Sequence, residues 1–346
     1  MEKFVKTTAL AVTVALACMA QAQAADLTVI SFGGANKDAQ QKAYYGPFTK
    51  STGITVVAGQ YDGEMAKVKA MVDTHSVSWD VLEVESPELA RGCDDGMFET
   101  LDYSKIGNKA AFVPGAAQKC GIGIFVWSTV LAYNADVLKT EPRSWKDFWD
   151  VKKFPGKRGL RKGAKYTLEI ALMADGVAPQ DVYKVLATPA GVDRAFKKLD
   201  QLKPYIQWWD AGAQPPQFLV SGDVVMSSAY NGRIAASQHD GQHLKIVWND
   251  SLYDFDSWAI PKGSANRDAA LKFIAFASRP ENQSVYSQNI AYGPTNKKAV
   301  GMLDKQVVAQ LPTAPQNMKH ALGVNVNFWE DYGDALEQRF NAWAAH

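Results

Sequence analysis

Strand-like runs alternate with helical patterns over the first quarter of the chain, and this alternation constrains the fold more than any other feature. The runs at 27–34, 54–61 and 79–85 are rich in apolar and β-branched residues, and helical periodicity fills 36–50 and 65–74 between them. Parallel neighbouring strands need such a long crossover, whereas antiparallel strands can be joined by a short turn. The sequence therefore predicts an α/β fold with a parallel sheet.

The chain is too long for one hydrophobic core, so we predict two lobes. It has 346 residues, and single cores stop growing at roughly 250 to 300 residues. The β-rich run at 121–134 is long enough to cross between lobes, which places a hinge near Tyr133, and amphipathic helices at 165–175 and 192–202 would build the second lobe. We expect lobe 1 to contain residues 25–133 and about 258–303, and lobe 2 to contain 134–257 and about 304–346.

Residues 1–24 have the pattern of a cleavable export signal. Lys3 and Lys6 precede an apolar stretch at 9–20, and the small residues at 22–24 form a cleavage site. The stretch is too short to span a membrane, and no later window reaches eighteen uninterrupted apolar residues. Cys18 offers a lipoprotein alternative, which is less favoured because alanine stands where a large aliphatic residue is usual. We therefore predict an exported, soluble protein.

Charge and motifs exclude several classes of function. The chain has 37 basic and 36 acidic residues, a formal net charge of +1, and loss of the signal brings the balance close to zero. No basic run is present, which argues against nucleic acid and anionic lipid as partners. The sequence also lacks a G-x-S-x-G motif, a phosphate-binding glycine loop and a metal-ligand cluster. We therefore expect no enzyme activity, no cofactor and no bound metal.

Two cysteines, Cys93 and Cys120, follow the export signal. In an oxidising compartment an even pair is more often a disulfide than two free thiols. We predict a Cys93–Cys120 bridge, with a pair of free thiols as the alternative.

One arginine and one aspartate lie among aromatic residues between positions 230 and 296. Arg233 follows the apolar run 224–229 and the turn signal at 231–232, which places it just past a strand end, where α/β proteins commonly bind ligands. Asp256 opens a strand-like run that Pro261 and Gly263 terminate. Asp254 would share the same side of that strand, so it is an alternative to Asp256. Aromatic surface is available nearby from Trp248, Tyr253, Phe255, Trp258 and Tyr292.

Arg233 and Asp256 suit the two ends of a small zwitterion. A guanidinium matches a carboxylate with two parallel hydrogen bonds, and a carboxylate among aromatic rings can hold an ammonium. A charged ligand in a closed cleft loses its water, so each charge needs an opposite partner there. The alternative is that the two residues pair with each other, or with solvent, as surface charges.

The order of segments resembles the extracytoplasmic solute-binding proteins of ABC importers, specifically the spermidine/putrescine-binding branch. The resemblance rests on the strand that ends at Gly33-Gly34 and on the segments 79–89, 130–134, 145–149, 222–232, 256–283 and 292–296. It implies a type II periplasmic-binding fold, in which two hinge-connected α/β lobes close on a ligand. It also implies a periplasmic monomer that docks on an inner-membrane permease.

The resemblance places the ligand-binding residues at strand ends along the cleft. Asp256 corresponds to the amine-binding carboxylate of the family, and Glu85 either adds to the amine site or caps a helix. We predict a cleft formed by Arg233 and Asp256 together with Ser31, Phe32, Gly33, Gly34, Glu85, Ser86, Tyr230, Asp254, Phe255 and Tyr292.

Two departures from the polyamine-binding pattern change the expected ligand. Arg161 and Lys165 lie in a segment where polyamine binders place acidic residues, and Arg233 stands where many relatives have serine. A second ligand ammonium would meet positive charge, whereas a carboxylate would meet a guanidinium. We therefore predict an ω-amino acid such as 4-aminobutyrate or 5-aminovalerate, with putrescine or another diamine as the alternative.

Overall fold

The computed structural model describes residues 26–345, so the predicted export signal at 1–24 lies outside the described residues. Within that range ten strands form one mixed sheet. The strands are β1 Leu27–Ser31, β2 Val56–Gln60, β3 Val81–Glu85, β4 Gly121–Asn134, β5 Arg158–Arg161, β6 Ile206–Trp209, β7 Met226–Tyr230, β8 Leu244–Ala259, β9 Gly293–Pro294 and β10 Leu322–Gly323.

Helices connect most of these strands and flank the sheet. They are α1 Gly34–Gln40, α2 Gly46–Thr52, α3 Met65–Asp73, α4 Ser86–Asp94, α5 Tyr103–Ile106, α6 Trp145–Trp149, α7 Thr167–Ala174, α8 Val182–Leu186, α9 Pro189–Leu202, α10 Gln214–Ser221, α11 Asn231–His239, α12 Arg267–Ala277, α13 Pro280–Asn289, α14 Lys305–Gln310, α15 Pro315–Met318 and α16 Val326–Ala344. A π-helical segment, Gln41–Tyr45, joins α1 to α2 without a break.

The sheet consists of two parallel groups joined by two long antiparallel strands. Its order is β2-β1-β3-β8-β4-β7-β5-β6. β1 is parallel to β2 and β3, and β5 is parallel to β6 and β7. β8 pairs with β3 through residues 256–259, while β4 pairs with β7 through residues 129–133. Both long strands therefore lie between the two groups, β8 beside the first and β4 beside the second. The predicted α/β fold is confirmed, but the sheet is mixed, since the predicted parallel order holds only within each group.

Large aromatic side chains fill the core on both sides of the crossing strands. Phe48 and Trp258 pack on Phe273 next to the first parallel group, with ring centroids 5.3 and 5.5 Å from the Phe273 ring. Trp145 packs on Phe148 beside the second group. Because these rings are almost fully buried, each contributes roughly 2 to 3 kcal/mol of hydrophobic stabilisation.

Two sequence predictions about these elements are wrong. Asp256 does not open a strand, because β8 already begins at Leu244 and Asp256 lies near its end; the polar residues at 249–251 hid the first half of this strand. The helix predicted at 165–175 is also not amphipathic, since every residue of α7 is buried. The helix predicted at 192–202 is amphipathic, and it begins earlier, at Pro189, where the Thr188 hydroxyl caps it.

The predicted disulfide between Cys93 and Cys120 is confirmed. The two Cα atoms lie 5.7 Å apart, within the range that a disulfide spans. Cys93 lies in the last turn of α4 and Cys120 immediately precedes β4. The bond therefore ties the helix that follows β3 to the start of a crossing strand.

Candidate functional site

A cavity lies where the first parallel group, the second group and the crossing strands meet. It encloses about 430 Å³ between its lining atoms, including the part open to solvent. Six of the predicted residues line it, namely Phe32, Glu85, Tyr230, Arg233, Asp256 and Tyr292. Six residues that the sequence analysis did not select also line it, namely Asn36, Asp62, Phe125, Trp127, Arg161 and Asp210.

Arg233 lies in the first turn of α11, directly after β7, as the sequence predicted. Its side chain is only 5% exposed, and it donates from Nη1 to the Gly33 carbonyl at 2.8 Å and from Nη2 to the Phe32 carbonyl at 3.2 Å. Within residues 26–345 its Nε atom is buried and has no hydrogen-bond partner. The guanidinium therefore bridges the β1 loop and α11, and it retains capacity for an acceptor in the cavity.

Gly34 is what allows Arg233 to approach the β1 loop this closely. Its φ is +54°, and a Cβ atom there would lie 2.7 Å from Nη1 of Arg233. Any other residue would be strained in the left-handed region and would also displace the guanidinium. Gly33-Gly34 thus contributes backbone carbonyls and open space, but no side chain, to the site.

Asp256 and the neighbouring Glu83 are both buried. Trp127 donates its indole N–H to Oδ1 of Asp256 at 2.7 Å, and Glu83 accepts from Asn36 at 2.8 Å and from Gln40 at 2.7 Å. Burial raises the pKa of Asp256 well above its usual value, and the charge and hydrogen bond of Glu83 raise this pKa further. Asp256 therefore tends to be protonated as long as no cation is bound beside it.

Glu85 is paired with Asp256 across β3 and β8, but its surroundings favour the charged carboxylate. Lys165 Nζ lies 2.6 Å from Oε2 of Glu85, and the Tyr166 hydroxyl donates to the same oxygen at 2.9 Å. Burial alone would raise the pKa of Glu85, but Lys165 and Arg161 outweigh burial and bring this pKa below its usual value. Glu85 is therefore a charged carboxylate whose partner is already part of the protein.

Arg161 is the most important residue that the sequence analysis did not assign to the site. It is the last residue of β5, and its guanidinium carbon lies 5.5 Å from the centroid of the Tyr166 ring. Two features of the sequence could have identified it. Arg161 lies in a strand-to-helix segment, and it stands in a segment where polyamine binders have acidic residues. Together with Arg233 it gives the cavity two guanidinium groups, enough to bind a carboxylate bidentately.

Aromatic rings form the walls of the cavity. Trp127 packs edge-on against Tyr230 with centroids 4.9 Å apart, and Phe125 stacks on Tyr292 at 4.8 Å. Phe125 and Trp127 project from one face of β4 because side chains alternate along a strand. That alternation within 121–134 is the signal by which the sequence analysis could have selected them.

The remaining predicted residues do not line the cavity. Ser86 donates to the Phe255 carbonyl at 3.2 Å, and Asp254 accepts from the Phe255 N–H at 2.7 Å. Burial raises the pKa of Asp254 to about 7. Outside the lining set are Ser31, Gly33, Gly34, Ser86, Asp254 and Phe255, and also the nearby rings Trp248, Tyr253 and Trp258.

No group of three or more His, Cys, Asp or Glu side chains suited to a metal ion occurs within residues 26–345. In the same range, no helix has the length and apolar character needed to cross a membrane.

Comparison with known proteins gives the chain a family. Residues 43–316 match the model of bacterial extracellular solute-binding proteins. The chain is 63% identical over 331 residues to the gamma-aminobutyric acid-binding protein of Pseudomonas aeruginosa, an alignment that covers 96% of this chain and 94% of the relative. It is 24% identical over 310 residues to the spermidine/putrescine-binding periplasmic protein of Escherichia coli, covering 84% and 86%.

A solved structure of a GABA receptor has the same fold. It superposes with a TM-score of 0.82 at 35% identity, covering 92% of this chain and 97% of that one. The predicted two-lobed periplasmic-binding fold is thereby confirmed, and so is the prediction of a binding protein without enzyme activity. The chain belongs to the family of bacterial extracellular solute-binding proteins.

Proposed function

We propose that this protein captures 4-aminobutyrate (gamma-aminobutyric acid) or a closely similar ω-amino acid and delivers it to an ABC importer. The observation that carries the proposal is one cavity with a buried carboxylate, Asp256, and two guanidinium groups, Arg161 and Arg233. An ω-amino acid has an ammonium and a carboxylate at its two ends, so it complements both. The relatives named for gamma-aminobutyric acid support this choice of ligand.

In the proposed complex the ammonium of the ligand binds Asp256, and its carboxylate binds Arg161 and Arg233. The rings of Phe32, Tyr230 and Tyr292 cover the methylene groups and exclude water, which strengthens both ion pairs. Ser31, Gly33, Gly34, Ser86, Asp254 and Phe255 surround the bound ligand at one remove, and the Gly33 carbonyl holds Arg233 in place. Glu85 remains paired with Lys165 and does not contribute to the amine site.

The proposal includes a location and partners. The protein is exported by its signal at 1–24, acts in the periplasm as a monomer, and docks its closed form on an inner-membrane permease. We propose that lobe 1 contains residues 25–133 and about 258–303, and that lobe 2 contains residues 134–257 and about 304–346. Closure about β4 and β8 would enclose the ligand.

Calorimetry with a ligand series tests this function. We expect 4-aminobutyrate to bind more tightly than putrescine, because only the amino acid offers a carboxylate to the two arginines. 5-Aminovalerate, one methylene longer, measures how strictly the cavity selects ligand length. Native mass spectrometry of protein purified without refolding identifies any ligand that copurifies. Tight putrescine binding with no 4-aminobutyrate binding would replace this proposal with the polyamine alternative.

A further inference from the structure

Lys165 is a buried lysine whose ammonium lies between two carboxylates. Its Nζ atom is 2.6 Å from Oε2 of Glu85 and 2.5 Å from Oε1 of Glu88, and its side chain is 6% exposed. Lys165 precedes α7 beside the second parallel group, whereas Glu85 ends β3 and Glu88 lies in the first turn of α4. Burial of an ammonium is costly unless it is paired, so these two carboxylates are what hold Lys165 at this position.

The two carboxylates belong to the ligand-binding region. Glu85 lines the ligand cavity, and Glu85 and Glu88 together line a smaller adjoining cavity that shares Phe32 and Arg161 with the first. Within residues 26–345, Oε2 of Glu88 is buried without a hydrogen-bond partner. The Lys165 ammonium therefore satisfies only part of the hydrogen-bonding capacity of this acidic pair.

Of these two carboxylates, Glu85 is within reach of a ligand anchored at Asp256. Glu85 is opposite Asp256 in the β3–β8 pair, and opposite residues on antiparallel strands have Cα atoms about 4.5 to 5.5 Å apart. A short diamine with one ammonium at Asp256 would bring its second ammonium towards Glu85, and Glu88 lies on the other side of the ammonium that Glu85 binds. In this protein, that position already holds an ammonium.

We propose that Lys165 is a specificity-determining residue that excludes diamines by occupying, with its own ammonium, the site where Glu85 and Glu88 would bind a second ligand ammonium. This inference rests on the proposed function, since it assumes that Asp256 binds the ligand amine. It assigns the preference for an ω-amino acid to two separate features. The arginines attract a carboxylate, and Lys165 removes the partner of a second amine.

A purely structural role for Lys165 predicts a different result. Lys165 connects the two parallel groups, so loss of its ion pairs would weaken closure and lower the affinity for every ligand. Loss of an occupying ammonium would instead leave Glu88 without a cation and Glu85 with only the Tyr166 hydroxyl and the charge of Arg161. That change would raise the affinity for a dication alone. The sign of the change in diamine affinity therefore separates the two roles.

Calorimetry of Lys165→Met with putrescine, cadaverine and 4-aminobutyrate tests the proposal. Methionine keeps much of the length and apolar surface of lysine but removes the charge. We expect putrescine or cadaverine to bind at least about tenfold more tightly than to the wild type, since a new charge-assisted pair forms. The matched control is Lys162→Met, an exposed lysine of the same segment, which should change no affinity. Adding Glu88→Gln to Lys165→Met should remove the gain.

Thermal unfolding covers the case in which Lys165→Met is unstable. A ligand that binds only the folded state raises its melting temperature, so millimolar putrescine should restore a cooperative transition to this variant. A folded variant without a diamine gain, or an unstable one that putrescine does not rescue, overturns the proposal. A wild-type protein that fails to bind 4-aminobutyrate would instead contradict the proposed function.

Discussion

Glu85 and Asp256 lie opposite each other in one cavity, yet their surroundings favour opposite protonation states. Lys165 and Tyr166 bind Glu85 directly, and the pKa of Glu85 lies below its usual value. Asp256 has the Trp127 indole as donor and Glu83 beside it, and its pKa lies well above the usual value. The difference shows that the two carboxylates are not interchangeable. A ligand ammonium gains more at Asp256, which forms no salt bridge with a lysine or arginine among residues 26–345.

The largest expected effect comes from neutralising Asp256. We expect Asp256→Asn to weaken 4-aminobutyrate binding by roughly 100-fold or more, because loss of one partner of a buried ion pair costs about 3 to 5 kcal/mol. Isothermal titration calorimetry measures the change. Asp254→Asn is the matched control, and we expect it to change the affinity less than about tenfold. A larger effect at Asp254 would assign the amine to Asp254 instead.

The next effect tests the carboxylate end of the same ligand. We expect Arg161→Gln and Arg233→Gln each to weaken 4-aminobutyrate binding by about 2 kcal/mol or more, since each leaves the ligand carboxylate short of a charged donor. Butylamine, which lacks the carboxylate, should bind the wild type and both variants with similar affinity. Equal losses for the two ligands would show that the arginines act on lobe closure and not on the carboxylate.

A third buried carboxylate, outside the cavity, extends the comparison to stability. Glu169 accepts from Trp329 at 2.7 Å and from Tyr183 at 3.0 Å, and burial raises its pKa to about 7. The folded state therefore binds this proton more tightly than the unfolded state does. As a result, the free energy of unfolding should fall by on the order of 3 kcal/mol as pH rises from about 4.5 to about 7. In the Glu169→Gln variant, the free energy of unfolding measured with urea should no longer show this decrease with pH. An unchanged slope would contradict the assignment.

The smallest expected effect concerns Glu83, which contacts Asp256 and does not line the cavity. The ammonium binds the ionised form of Asp256, so affinity should rise by up to about tenfold per pH unit until pH exceeds the pKa of Asp256. Glu83→Gln removes the neighbouring charge, lowers that pKa and moves the rise to lower pH. Calorimetry from about pH 5 to about pH 8 measures both profiles, and identical profiles would exclude coupling between the two carboxyl groups.

The sequence predicted the fold well because its signals are local. The strands β1, β2 and β3 and the helices between them followed from periodicity, and Arg233 was placed correctly by the turn signal after β7. The extent of β8 did not follow, because its first half mixes polar residues with apolar ones. The complete burial of α7 likewise depends on the elements that pack against it. The periodicity of its own sequence contains no information about them.

The site was less predictable, since its chemistry depends on contacts between distant segments. Arg161 and Lys165 carry the same charge four positions apart, yet only Arg161 lines the cavity while Lys165 binds Glu85 and Glu88. The low pKa of Glu85 and the high pKa of Asp256 arise from neighbours on other strands and helices. No pattern within one segment distinguishes these environments, whereas the alternation that projects Phe125 and Trp127 into the site was readable from β4 alone.

The bond between Cys93 and Cys120 bears on how samples should be prepared for all these measurements. It links residues 27 positions apart and fastens α4, the helix that carries Glu88, to the strand that carries Trp127. Cytosolic expression hosts keep thiols reduced, so material produced there would lack this link, whereas secreted material would contain it. Batches from the two sources are chemically different species, and affinities measured on them should be compared only after the oxidation state has been verified by mass.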